Sequence, residues 1–160
     1  MAIPTKPEYL HVILNPLPIY GLAMGMLAQV VALFLKSRPA QVAALVVVFV
    51  SAVSIAPVTY FGEKGFDRVV AVSDDAGEAW LEEHRERAEL AEPIFYTLAV
   101  LSLAALLVPL RFPKSSVRLA VATLVLSAIA LAVAGRAAYA GGHVRHTEFR
   151  FEPAPAVREE

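Results

Sequence analysis

The sequence predicts an all-α fold, an integral membrane four-helix bundle with a short amphipathic outer helix between helices 2 and 3. Three observations predict it. Residues 17–35, 40–61, 93–110 and 119–135 contain no Asp, Glu, Lys, Arg or His. A helix rising about 1.5 Å per residue needs roughly 17–25 such residues to cross the hydrocarbon of a bilayer. The composition, 58% hydrophobic and 18% charged with a mean hydropathy of +0.59, suits a chain solvated by lipid. Finally, the near-zero net charge of -1 hides a strong separation of cations from acids along the chain.

The first helix is expected over about 10–35. It is too long for a secretion signal, lacks a small-residue cleavage pattern and is followed rather than preceded by its positive charges, so it reads as a retained span. Gly21 and Gly25, one turn apart, predict a close helix contact on that face. The second helix, about 40–61, carries Pro57 near its outer end, where the ring frees a carbonyl and bends the helix before Tyr60 and Phe61. An outer loop follows over 62–89. Within it Ser73-Asp74-Asp75 reads as a helix start, and residues 76–90 form a short helix with Trp80 and His84 on one face.

The third helix, about 90–110, starts beside Pro93, so that either one helix continues through the proline or a new one begins near Glu92. The fourth, about 117–140, is expected to end at Gly141-Gly142 and release an outer tail, 141–160. Residues 1–160 thus make one transmembrane domain. Tyr9, Tyr20, Tyr60, Tyr96 and Tyr139 lie toward the same ends of the helices, as an interfacial aromatic belt does.

Orientation follows from the connections. The first, Lys36-Ser37-Arg38-Pro39, and the third, residues 111–118, hold five cations and no acid, whereas 62–92 sets Lys64, Arg68, Arg85 and Arg87 against ten acids. The positive-inside rule places the two basic loops in the cytoplasm, with the acidic loop and both termini outside an inner membrane.

All four histidines then fall on the outer side: His11 before the first span, His84 before the third, His143 and His146 after the fourth. As metal ligands, the His143 and His146 pair has an i, i+3 spacing, and His11 and His84 complete a candidate set of four. The chain has no cysteine, which excludes disulfides, thiolate sites, iron–sulfur clusters and covalent haem attachment. Haem b is the more economical cofactor. It needs two histidines from different helices across an apolar slot, with cations for the propionates, and Arg136 and Arg145 stand near the outer ends to supply them. Arg136 is expected to face the bundle interior and pair with Glu63, Glu92 or a ligand anion.

No Gly-rich phosphate loop, Ser-His-Asp ordering or HExxH helix is present, and no basic patch suggests nucleic acid. The spans also hold no acid or lysine to mark an ion path.

The run from His11 through Asn15-Pro16 to Ile19, the Gly62-Glu63 pair, His84, and the run from Tyr139 through Gly141-Gly142-His143 to Phe149 resemble the uncharacterised four-helix bacterial membrane proteins classed as a domain of unknown function. The resemblance spans about residues 9–150 and carries over His11, His84 and His146, while His143 falls where the family has other residues. Val12 stands where the family has a proline. The function expected is a membrane subunit carrying a b-type haem near the outer face and passing electrons between a membrane partner or quinol and an external carrier. Its competitor is a non-catalytic accessory or anchoring subunit of a larger membrane complex. Either role is expected in preference to that of an independent enzyme.

Overall fold

The computed structural model describes residues 5–156, and all regular structure among the described residues is helical. Four helices are long and apolar enough to cross a membrane: Pro7–Phe34, Arg38–Val70, Asp75–Arg111 and Pro113–Arg145.

The first is built from α1 (Pro7–Leu14) and α2 (Leu22–Phe34), joined through a π turn at Leu17–Gly21. Pro16 and Pro18 have no amide N–H to donate, so the regular ladder loosens there. The second comprises α3 (Arg38–Val53) and α4 (Ile55–Val70), separated at Ser54. That break is the expected effect of Pro57, which offers no N–H to the Val53 carbonyl; the Ser54 hydroxyl donates to the Ser51 carbonyl at 2.7 Å beside it. Gly21 and Gly25 admit this helix closely. A Cβ on Gly25 would meet Val48 Cγ2 at 2.9 Å, and one on Gly21 would meet Ser51 Oγ at 2.5 Å.

The third long helix takes the continuous form of the two left open at Pro93. α5 (Asp75–Arg111) is one unbroken helix of 37 residues, with Pro93 and Pro109 inside it. Its first turn is capped by Asp74, whose carboxylate accepts the Gly77 N–H at 2.9 Å. At about 1.5 Å per residue it is far longer than the roughly 30 Å of hydrocarbon, so the expected outer helix is its N-terminal half. Proline strands the carbonyl four residues earlier. For Pro109 that carbonyl is Ala105, and Arg38 Nη2 donates to it at 3.2 Å.

α4 likewise continues to Val70, which reduces the expected loop of 62–89 to the short turn 71–74. α6 (Ser116–Arg145) runs straight through Gly141-Gly142 rather than ending there. The reason is an outer apolar cluster: Trp80, Leu81, Ala140 and Val144 are buried together, with Phe66, Val69, Val70 and Ala154 packed against them. Burying that face holds the helical extensions in place. Below it, Leu22, Val48, Ala52, Phe95, Leu98, Ala130 and Ala134 draw residues from all four long helices into one core.

Candidate functional site

His11 lies on α1 and His84 on the N-terminal half of α5. His11 Nδ1 is 2.9 Å from the Val58 carbonyl on α4, and His84 Nδ1 is 2.7 Å from the Ala137 carbonyl on α6. A carbonyl only accepts, so each Nδ1 is a protonated nitrogen, and Nε2 is the nitrogen on which each ring can bind a further group.

Both anchors share one local design. Four residues after each acceptor carbonyl stands a glycine, Gly62 after Val58 and Gly141 after Ala137, and a tyrosine lies midway, Tyr60 and Tyr139. The glycine clears the helix surface for the ring. A Cβ at position 62 would lie 3.0 Å from His11 Nδ1, and one at 141 would lie 2.9 Å from His84 Nδ1.

The two rings meet. Their centres are 6.0 Å apart with planes at 80°. Both line a cavity of about 920 Å³, whose wall includes Ile19, Ile55 and Ala134 as apolar surface. Polar groups reach it too: Glu63, Glu92, Arg85 and Arg145. Glu92 Oε1 accepts the hydroxyls of Tyr96 at 2.6 Å and Thr59 at 3.2 Å.

The other two histidines take different places. His143 is buried, with its ring 4.5 Å from that of Trp80 and 4.3 Å from that of Tyr139, and its Nδ1 donates to the Tyr139 carbonyl at 2.7 Å. His146 is exposed at the cavity rim, 2.9 Å from Glu148 Oε1 and beside Phe149. Among the described residues no three of His, Cys, Asp or Glu gather as a metal centre. The four-histidine set therefore resolves into one facing pair, one packed ring and one surface ring.

Arg145 lines the cavity and donates to the Val72 carbonyl at 2.8 Å. Arg136 departs from the expectation that it faces inward. Ala134, Ala137 and Ala140 are the buried face of α6, and Arg136 lies to one side of it, with its side chain exposed. Its carbonyl, not its guanidinium, joins the packing, accepting Arg87 Nη1 at 2.9 Å. Glu92, its expected partner, is held by the two hydroxyls instead.

Above the site a clamp fixes the tail. Arg150 meets Asp74 through Nη1 at 2.7 Å and Nη2 at 3.0 Å, and donates to the His143 and Val144 carbonyls at 2.7 and 2.8 Å. The Arg150 guanidinium and then the Gly77 N–H lower the Asp74 carboxyl to about 2.

Thr59 and the close-approach roles of Gly62 and Gly141 escaped the sequence reading, which named Gly62 only within the Gly62-Glu63 pair and Glu92 only near a helix start and as a partner for Arg136. The available signal was the repeated Tyr-x-Gly, which occurs once in the second helix and once in the fourth. Chemically, two imidazoles whose Nδ1 protons are committed to carbonyls stand with ring centres 6.0 Å apart beside a roomy and largely apolar cavity, an arrangement that leaves their Nε2 atoms to meet a ligand. Comparison of this chain with protein-family models, curated proteins and solved structures finds no match in any of the three.

Proposed function

We propose that this chain is a membrane subunit that holds one b-type haem near its outer face, with His11 and His84 as axial ligands, and relays electrons between a membrane donor and an external carrier. The observation that carries this reading is the pairing of the two rings. Two imidazoles anchored by carbonyls of different helical hairpins come together on the wall of one cavity. The rings stand 6.0 Å apart.

Supporting features agree with it. Each ring is oriented by a backbone carbonyl through Nδ1, the outer-shell arrangement that fixes a ligating histidine. A cavity of about 920 Å³ accommodates a macrocycle, where a bare metal ion needs none. Arg145, as expected, lines it as a partner for propionates, and Arg85, also paired with Glu82, stands there in the role expected of Arg136. Haem supplies one-electron chemistry, and the protein tunes it through ligand choice, burial and hydrogen bonding. In this reading the four helices form a bundle across the inner membrane, with the basic connections in the cytoplasm and both termini outside. The resemblance to the four-helix family of unknown function belongs to the same proposal.

The test is the visible spectrum of protein purified from cells supplied with haem precursor. A low-spin b-type spectrum is expected, lost in His11→Ala and in His84→Ala and retained in His146→Ala. A colourless protein rejects the haem and favours an accessory or anchoring subunit, whereas an unchanged spectrum in the double variant His11→Ala/His84→Ala rejects these two residues as the ligands.

A further inference from the structure

Resting on the haem reading, we infer that the same cavity admits a lipid-soluble hydroquinone and that Glu92 receives its proton. Glu92 stands where the charged outer half of α5 gives way to the uncharged stretch 93–110. An ionisable residue at the edge of such a stretch is a candidate functional position. This one is set in place by both neighbours. Tyr96, one turn along α5, and Thr59, across on α4, both donate to Oε1. Among the described residues Oε2 takes no hydrogen bond, so one oxygen is oriented while the other stays available to an incoming hydroxyl.

Two further relations tie this carboxylate to the histidines. Glu92 lines the cavity that His11 and His84 line. Thr59 directly follows Val58, whose carbonyl orients His11, so a single turn of α4 touches both the ligand histidine and the carboxylate. Along α5, Glu92 is eight residues beyond His84, about 12 Å of helical rise.

The substrate class follows from these groups. The cavity wall is mainly apolar, which suits a molecule drawn from lipid, and the carboxylate needs a partner with an acidic hydroxyl. A hydroquinone has both properties and gives up electrons as it loses protons. In the step proposed, a ring O–H breaks, its proton forms a new O–H bond on Glu92, and the electron released with it would be taken up by the ferric haem that His11 and His84 would hold. That electron would go on to an external one-electron acceptor, and Glu92 releases its proton to the outer side. A second round, with the semiquinone as donor, completes quinone formation. One hydroquinone thus yields one quinone, two reduced acceptors and two protons outside.

The experiment mixes a short-chain benzohydroquinone with the haem-loaded protein and follows haem reduction, using dithionite as an electron donor that needs no carboxylate. Glu92→Gln is expected to keep its haem content and dithionite-reduced spectrum while hydroquinone-driven reduction slows at least tenfold. Thr59→Val, which removes one donor and leaves the carboxylate, is expected to slow it several-fold. Glu78→Gln, exposed and outside the cavity, is expected to match the parent. A haem-loaded Glu92→Gln protein that hydroquinone reduces at the parent rate overturns this inference and leaves the haem reading intact, as does a haem-loaded parent that hydroquinone fails to reduce. A parent protein without haem overturns both.

Discussion

Gly141 leaves His84 only the space of a hydrogen atom: a Cβ there would stand 2.9 Å from Nδ1 and 3.1 Å from Cε1 of the ring. Gly62 holds His11 in the same way, at 3.0 and 3.2 Å. Neither glycine is there for an unusual backbone angle, since no glycine among the described residues has positive φ. Each serves close approach.

Gly141→Ala is therefore expected to push the His84 ring off the Ala137 carbonyl. The overpacking costs about 1–3 kcal/mol, and haem content per protein falls with it. Gly142→Ala is the matched control, because a Cβ at position 142 meets nothing within 4 Å. Thermal unfolding in detergent and Soret absorbance measure both effects.

Arg38 replaces a hydrogen bond that Pro109 removes, through its contact with the Ala105 carbonyl. Arg38→Leu leaves that carbonyl without its donor, which costs about 1–3 kcal/mol. The double variant Arg38→Leu/Pro109→Ala is expected to recover much of the loss, since alanine restores an N–H to the ladder. A double-mutant cycle on the melting transition reads the coupling. Independent, additive losses would show that the arginine acts elsewhere.

The tail clamp sets a pH dependence. Asp74 has its folded-state value lowered from 3.8 to about 2, so its contribution is fully present above about pH 4 and is lost as pH falls through about 2. Amide exchange of residues 147–151 is expected to accelerate across that window. In Asp74→Asn the exchange should already be fast at neutral pH and no longer respond to acid there.

Arg136→Leu is expected to insert normally and keep the parent absorption spectrum, because its side chain faces outward. His143→Ala should also keep the spectrum but lower stability by about 2 kcal/mol, since that ring fills space against Trp80 and Tyr139. Loss of colour in either variant would contradict the assignment of ligands to His11 and His84.

The four apolar spans were legible because a run of lipid-compatible residues is a one-dimensional signal. Helix ends were not, and for a common reason. Residues 62–70 and 141–145 look like loop and tail when read locally, by their charges and glycines, yet Phe66, Val69, Val70 and Val144 keep them helical by packing on Trp80 and Leu81. That is a tertiary effect. The grouping of histidines by side was also readable from topology. Which two face each other was not, because it depends on helical phase: His143 turns toward Trp80, while His84 turns toward His11. Arg136 was misjudged through the same missing phase, one residue away from the buried Ala137.

Each histidine is anchored within its own half of the chain, His11 on the second span and His84 on the fourth. Neither anchoring bond crosses from one helical hairpin to the other. An atom bound by both rings is consequently a clasp between two separately prepared halves, and its affinity adds to whatever the packed helices contribute to their association. A chain whose hairpins have not yet docked would present two half-sites and no grip on such an atom.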